Sequence, residues 1–182
     1  MSEIYEPAED SYLLSEALGK RIPALIKKKP NLKAIEIGVG SGIQLQTLSK
    51  IGVFNENISG VDINLDAVKN CKKLGFNCYF SNLFSKVEGK YDVILFNAPY
   101  LPEDETEPED SKLITTGGKN GGEIVSEFLA EAKNHLENSG RIFLLVSSLT
   151  KAIKFGKFKK NLIAREKLFF EELLVYELEY KK

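Results

Sequence analysis

The residues with the clearest chemical potential are Asn97-Ala98-Pro99-Tyr100, which follow Val93-Ile94-Leu95-Phe96 without a break. Apolar residues running into Asn, Pro and an aromatic ring describe a strand that ends in polar chemistry. A primary amide or aromatic amine is a poor nucleophile because its lone pair is delocalised into the neighbouring π system. A site that accepts both N–H hydrogens and favours a tetrahedral nitrogen localises that lone pair towards an electrophilic methyl. Asn97 supplies one carbonyl oxygen, the backbone of Ala98 a second, and Pro99 restricts the turn that aims them. Tyr100 can stack on a flat group held there. No strong base is required, because the nitrogen turns acidic only once alkylated, so the protein contributes positioning. The plainer alternative is a strand end closed by an Asx-type turn.

A ligand to face this turn is suggested by Gly38-Val39-Gly40-Ser41-Gly42. Closely spaced glycines after a first strand let backbone approach a ligand, and the helix that follows points free amides at it. A dinucleotide fingerprint wants a third glycine one position later, where this chain has Ile43. Glu36, just ahead of the first glycine, sets a negative charge where a pyrophosphate would sit. It favours a positively charged ligand, and a sulfonium with an amino group qualifies. Asp62 closes the second strand, where a carboxylate can accept both hydrogen bonds of a ribose diol; the plainer alternative is an acid at a helix N-terminus. Asn82, in Ser81-Asn82-Leu83-Phe84, can read an adenine edge while Leu83 packs on the ring, or can be an ordinary turn residue.

The elements that must position these residues follow from periodicity. Asp10 to about Lys29 reads as an amphipathic helix that Pro23 can kink or restart. Lys33–Ile37 is a strand leading into the glycine turn, and Ile43, Leu45 and Leu48 resume helical spacing. Ile58–Asp62 is a strand, Leu65–Leu74 a helix, Asn77–Phe80 and Tyr91–Phe96 strands, and Glu123–Leu136 a helix. Arg141–Val146 is a strand, Leu149–Lys160 a basic helix, and Leu162–Leu168 with Leu173–Tyr180 a closing hairpin. Continuous rather than alternating apolar strands imply a sheet covered on both faces. The expected fold is therefore α/β, a Rossmann-like, doubly wound, mostly parallel seven-stranded sheet with a C-terminal antiparallel hairpin. Between Pro99 and Gly122 lie about two dozen residues without a period, a length that is usually functional or disordered.

With 182 residues, of which 43% are hydrophobic, the chain suits one domain spanning 1–182. A formal net charge of -1 provides no global field for holding nucleic acid, which makes a stand-alone nucleic-acid binder an unfavoured reading. The apolar runs are strand-sized and the N-terminus is acidic, so neither a membrane span nor a signal peptide is expected and the location reads as cytoplasmic. Cys71 and Cys78 read as buried small residues and no metal site is expected. His135, the only histidine, reads as a helix C-terminal or surface residue. The acidic run Glu103–Asp110 reads as a solvated loop. Lys151, Lys154, Lys157, Lys159 and Lys160 read as a solvent face, and Phe169 and Phe170 as core of the hairpin.

Four stretches give the chain a more specific likeness: Tyr5-Glu6-Pro7-Ala8-Glu9-Asp10-Ser11-Tyr12-Leu13-Leu14, Gly38-Val39-Gly40-Ser41-Gly42, Phe96-Asn97-Ala98-Pro99-Tyr100, and Gly117-Gly118-Lys119-Asn120-Gly121. From Tyr5 to about Tyr180 the sequence resembles class I S-adenosylmethionine-dependent methyltransferases with an Asn-Pro-Pro-Tyr motif. Within them it is similar to the HemK-type release-factor glutamine methyltransferases, in their short archaeal and eukaryotic branch. The resemblance implies a cofactor site of Pro7, Ser11, Glu36, Gly38, Gly40, Gly42, Asp62, Ile63, Asn82, Leu83 and Asn97. It implies a catalytic set of Asn97, Ala98, Pro99 and Tyr100. It also implies S-adenosyl-L-methionine as cofactor, the Gln of a Gly-Gly-Gln motif in a class I peptide chain release factor as substrate, and a small zinc-binding activator as partner. Three positions depart from the family pattern: Ser11 stands for the usual Thr, Asn82 for Asp and Ala98 for Pro.

The expected function is thus methylation of a protein glutamine side-chain nitrogen. The same turn suits any planar NH₂, which keeps a nucleic-acid adenine or small-amine methyltransferase as the alternative. A non-catalytic cofactor-binding subunit is the second.

Overall fold

A continuous apolar strand makes sense only between two covered faces, a condition met at the centre of a sheet of seven strands. They are β1 (Ala34–Ile37), β2 (Ile58–Asp62), β3 (Asn77–Phe80), β4 (Tyr91–Asn97), β5 (Leu136–Ser147), β6 (Phe158–Lys167) and β7 (Glu172–Tyr180). Helices α1 (Glu9–Lys28), α2 (Ile43–Ile51), α3 (Leu65–Lys73) and α4 (Glu123–His135) cover them. This computed structural model describes residues 4–103 and 115–181.

The sheet order is β3-β2-β1-β4-β5-β7-β6. The first five strands pair in parallel, whereas β7 runs antiparallel between β5 and β6. The expected mostly parallel sheet with a C-terminal hairpin is therefore present. Alternate residues of one run serve opposite cores. Val93 and Leu95 pack with Leu14, Leu18, Leu45 and Leu48 of α1 and α2, while Ile94 and Phe96 pack with Val125 and Phe128 of α4. Burying each such side chain contributes roughly 2 kcal/mol. Arg21 of α1 and Arg141 of β5 both pair with the buried Glu177 carboxylate, which ties α1 to the hairpin sheet.

Because β1 leads outward to β2 while β4 leads the other way to β5, the crevice beyond their carboxyl ends is the switch point where such sheets take ligands. Ile37 is paired with Phe96, so Gly38 and Asn97 stand side by side at the carboxyl edge of the sheet.

Two expectations need correction. Leu149–Lys160 is not a basic helix. Ala152 and Gly156 take left-handed backbone, Lys151 N donates to Asn120 O and Lys154 N to Ser126 Oγ, and Phe158–Lys160 already pair with β7. Sheet pairing and long-range hydrogen bonds thus outcompete a local helix. Phe169 and Phe170 are not core: they are 92% and 86% exposed at the hairpin tip, where Leu168 packs inward instead. Helix α1 runs through Pro23. His135 ends α4, stacked on Phe84 with its ring centroid 4.8 Å away. The acidic run lies outside the described residues beyond Glu103. No helix among the described residues is long and apolar enough to cross a membrane.

Candidate active site

A cleft of about 1260 Å³ opens at this switch point. Of the residues singled out from sequence, Ser11, Glu36, Gly38, Gly40, Asp62, Ile63, Asn82, Leu83, Asn97, Ala98, Pro99 and Tyr100 line it together. Pro7 and Gly42 do not. Gly42 serves packing: with φ of 84°, it caps α2 in left-handed backbone, and a Cβ there would lie 2.9 Å from Cys71 Sγ.

Asn97 is held by a residue the sequence left unassigned. Its Nδ2 donates to Asp10 Oδ2 at 2.9 Å, while Asp10 Oδ1 accepts from Ser11 N at 2.5 Å. Asp10 is 4% exposed, so this carboxylate is a fixed buried acceptor. The contact dictates which end of the Asn97 amide faces away: Oδ1, buried and without a hydrogen-bond partner among the described residues. Nothing local in the sequence signals this pair, which joins the start of α1 to the end of β4. Only the shared motif stretch around Asp10 hints at it.

The turn after Asn97 is clamped by glycine backbone. A Cβ on Gly117 would lie 2.4 Å from Pro99 O, and one on Gly121 2.4 Å from Tyr100 O. Gly117 N donates to Leu101 O and Thr150 Oγ1 to Tyr100 O. The unperiodic stretch after Pro99 therefore returns to support the turn it left. Ala98 is 3% exposed and lies beyond the last ladder pairs of β4, Phe96 with Ile37 and Asn97 with Leu145. Ala98→Pro is expected to keep kcat within about threefold and stability within ~1 kcal/mol, as measured by steady-state kinetics and thermal unfolding.

Across the cleft, Asp62 accepts from Gly40 N at 3.0 Å and Asn64 N at 2.7 Å. The helix cap is Asn64, which accepts from Asp66 N, so Asp62 is spared that task. Burial pushes the Asp62 carboxyl up, opposed by those backbone donors. Glu36 is 2% exposed and its Oε2 has no hydrogen-bond partner among the described residues. Burial, with lesser contributions from Cys78 and Asp62, pushes its carboxyl well above the usual range. Leu83 sits in left-handed backbone at φ 44°, a strained conformation for a leucine, on the cleft wall. Burial first, then Asp10, raises the Tyr5 and Tyr100 phenols, which stay neutral.

Residues 15–164 match the methyltransferase small domain family. The chain belongs to this family. The methyltransferase is 44% identical over 187 residues to a candidate protein N5-glutamine methyltransferase of Methanocaldococcus jannaschii, covering 95% of this chain and 90% of the relative. It is 29% identical over 172 residues to the eRF1 methyltransferase catalytic subunit of Schizosaccharomyces pombe, covering 82% and 74%. A solved Mtq2–Trm112 complex of E. cuniculi, described as responsible for methylating the eRF1 translation termination factor, shares the fold at a TM-score of 0.73 and 22% identity over 100% of both chains. The resemblance to HemK-type methyltransferases drawn from the sequence is borne out.

A solved 16S rRNA N2 G1207 methyltransferase of T. thermophilus, 20% identical with a TM-score of 0.62 over 97% of this chain and 44% of its own, is in complex with AdoMet and guanosine, and the cleft here fits S-adenosylmethionine. Its acids Glu36, Asp62 and Asp10 suit a ligand carrying a sulfonium and an ammonium and would oppose a pyrophosphate. The orphaned Glu36 Oε2 is an acceptor with no donor among the described residues. Exposed Ile63 and partly exposed Leu83 give apolar surface for a flat base.

Proposed function

We propose that this methyltransferase modifies the side-chain nitrogen of a protein glutamine, the Gln of the Gly-Gly-Gln motif in a class I peptide chain release factor. The observation that carries the reading is the Asn97 amide of the cleft lining, whose Nδ2 is committed to Asp10 while its buried Oδ1 has no hydrogen-bond partner among the described residues. An acceptor fixed in this way suits the N–H of a planar amide. S-adenosylmethionine supplies an electrophilic methyl when bound. Asn97 Oδ1 accepts one N–H of the glutamine amide and the Ala98 carbonyl accepts the other, drawing the nitrogen out of conjugation. Tyr100 stacks on the amide plane, and Pro99 with the glycine clamp keeps both carbonyls in place. Once the nitrogen is alkylated it is acidic, and its proton passes to water.

In the cofactor half, Asp62 holds the ribose diol, Asn82, Leu83 and Ile63 border the adenine, and Ser11, Glu36, Gly38 and Gly40 face the methionine part. Pro7 and Gly42 contribute through the shape of the loops that carry these residues. We further propose that residues 1–182 act as one domain in the cytoplasm, with a small zinc-binding subunit as activator. The relatives named above, one acting on eRF1 and one in a complex with Trm112, support the release factor and the small partner.

Labelled S-adenosylmethionine, the enzyme co-expressed with a zinc-binding activator, and a release factor provide the test. Label on the factor that disappears when its Gly-Gly-Gln glutamine is replaced by alanine is the expected result. Undiminished label on the altered factor, or label on nucleic acid alone, overturns the proposal.

A further inference from the structure

The most unusual surface lies at the turn between β6 and β7. Leu168 N donates to Glu171 O at 2.8 Å, leaving Phe169-Phe170 as a two-residue hairpin loop. Such loops favour Gly, Asn or Asp, yet here two aromatic rings project into solvent, 92% and 86% exposed, with centroids 4.9 Å apart. Neither takes the left-handed backbone that would explain the position by turn geometry. The next most exposed large apolar residue among those described is Tyr12 at 59%. An exposed apolar pair of this kind marks an interaction surface.

The location of the tip says what it meets. β7 starts beside the end of β5, with Leu173 paired to Ser147, and β5 runs parallel to β4, with Leu145 paired to Asn97. The tip therefore shares the carboxyl edge of the sheet with the Asn97 turn, two to three strands across at about 4.8 Å per strand. Hydrogen bonds link the two: Thr150 Oγ1 donates to Tyr100 O, Ser147 N donates to Thr150 Oγ1, Ser148 N donates to Glu172 O and Glu172 N donates to Ser148 Oγ. Leu168 and Tyr100 also pack on one buried cluster.

Charge defines the occupant. Glu171, next to the phenylalanines, has Oε2 buried without a hydrogen-bond partner among the described residues. After burial and Asp10, and ahead of Glu9, Glu171 helps raise the Tyr100 phenol. Glu103 lines the cleft. Glu172 is paired with Arg165 at 3.8 Å, and Lys167 is the exposed cation nearest the turn in sequence. The lip is thus apolar at its tip and acidic towards the cleft.

We propose that the β6–β7 tip is a docking lip for the protein substrate, on which Phe169 and Phe170 seat an apolar side chain and Glu171 a basic side chain of the polypeptide flanking the methylated residue. The proposal rests on the reading of this cleft as a protein-glutamine methylation site. Small amides would not need such a lip, whereas a folded protein presenting a loop would gain orientation from it.

The test compares two substrates, a full-length release factor and a short peptide centred on its Gly-Gly-Gln, with enzyme co-expressed with its activator. The double variant Phe169→Ser, Phe170→Ser is expected to raise KM for the full factor at least ~10-fold, as loss of a central aromatic pair does at interfaces. Its kcat stays within about twofold, and its S-adenosylmethionine affinity and kinetics on the short peptide match wild type. Glu171→Gln is expected to raise KM for the full factor about threefold at low salt and to flatten its salt dependence. Unchanged KM for the full factor in the double variant, with wild type labelling the glutamine normally, overturns the docking lip alone. Equal KM increases for factor and short peptide, or loss of activator binding or of vesicle binding in place of a KM change, also overturn it. Absence of glutamine labelling by wild type overturns both proposals.

Discussion

Replacing Asn97 by alanine lowers kcat by about 10²- to 10³-fold while leaving S-adenosylmethionine affinity within about threefold. The magnitude is that of removing one fixed polar partner from a reacting group in a shielded site. The split between kcat and affinity follows from geometry: Asn97 sits at the end of β4, whereas Glu36 and Asp62 end or approach the ends of β1 and β2. Calorimetry for the cofactor and single-turnover methyl transfer for the chemistry separate the two effects. Asp10→Asn is the informative companion. Asp10 acts through Asn97 by fixing its orientation, so kcat falls about 10- to 100-fold without an intrinsic loss of the Asn97 acceptor. Equal defects in cofactor affinity and kcat for Asn97→Ala would overturn the assignment.

Glu36→Gln weakens S-adenosylmethionine binding by about two orders of magnitude, as expected when one partner of a buried charge pair is removed. The same change stabilises the unliganded protein, raising Tm by at least ~2 °C. The sign follows from linkage. Burial raises the native Glu36 pKa above its ordinary 4.5, so between these values the native state binds more protons than the unfolded state and stability falls as pH rises. Below 4.5 both states are protonated and the penalty is absent. A bound cation favours the ionised carboxylate, so wild-type affinity rises with pH through that window and the Glu36→Gln affinity does not. Thermal scans and calorimetry at several pH values read both trends, and a pH dependence of affinity that survives in Glu36→Gln removes Glu36 from the role.

The sheet was legible because its central strands are covered on both faces: Val93–Phe96 and Ile142–Val146 are unbroken apolar runs whose alternate residues feed two cores. The Asn97 turn and Asp62 were legible because each ends a strand on a polar residue. Leu149–Lys160 misled because its lysines and aromatics carry a helical spacing, while the hydrogen bonds that decide its backbone come from Asn120, Ser126 and β7. Asp10 was present in a recognised stretch, yet its task depends on Asn97, 87 residues away. Phe169 and Phe170 look like core to any hydrophobicity argument; only the two-residue turn turns them outward.

The free thiols have a consequence for dynamics. Cys71 and Cys78 are 0% and 1% exposed, and Cys71 Sγ lies where a Gly42 side chain would begin, while Cys78 Sγ lies 3.2 Å from the corresponding point at Gly60. A thiol reagent reaches them only when the glycine turn and α3 part, so the labelling rate reads the free energy of that local opening. Because opening dismantles the cofactor cradle, S-adenosylmethionine slows labelling by the factor 1 + [L]/Kd. The two cysteines, chemically idle in the folded state, thereby report how tightly the cradle is closed.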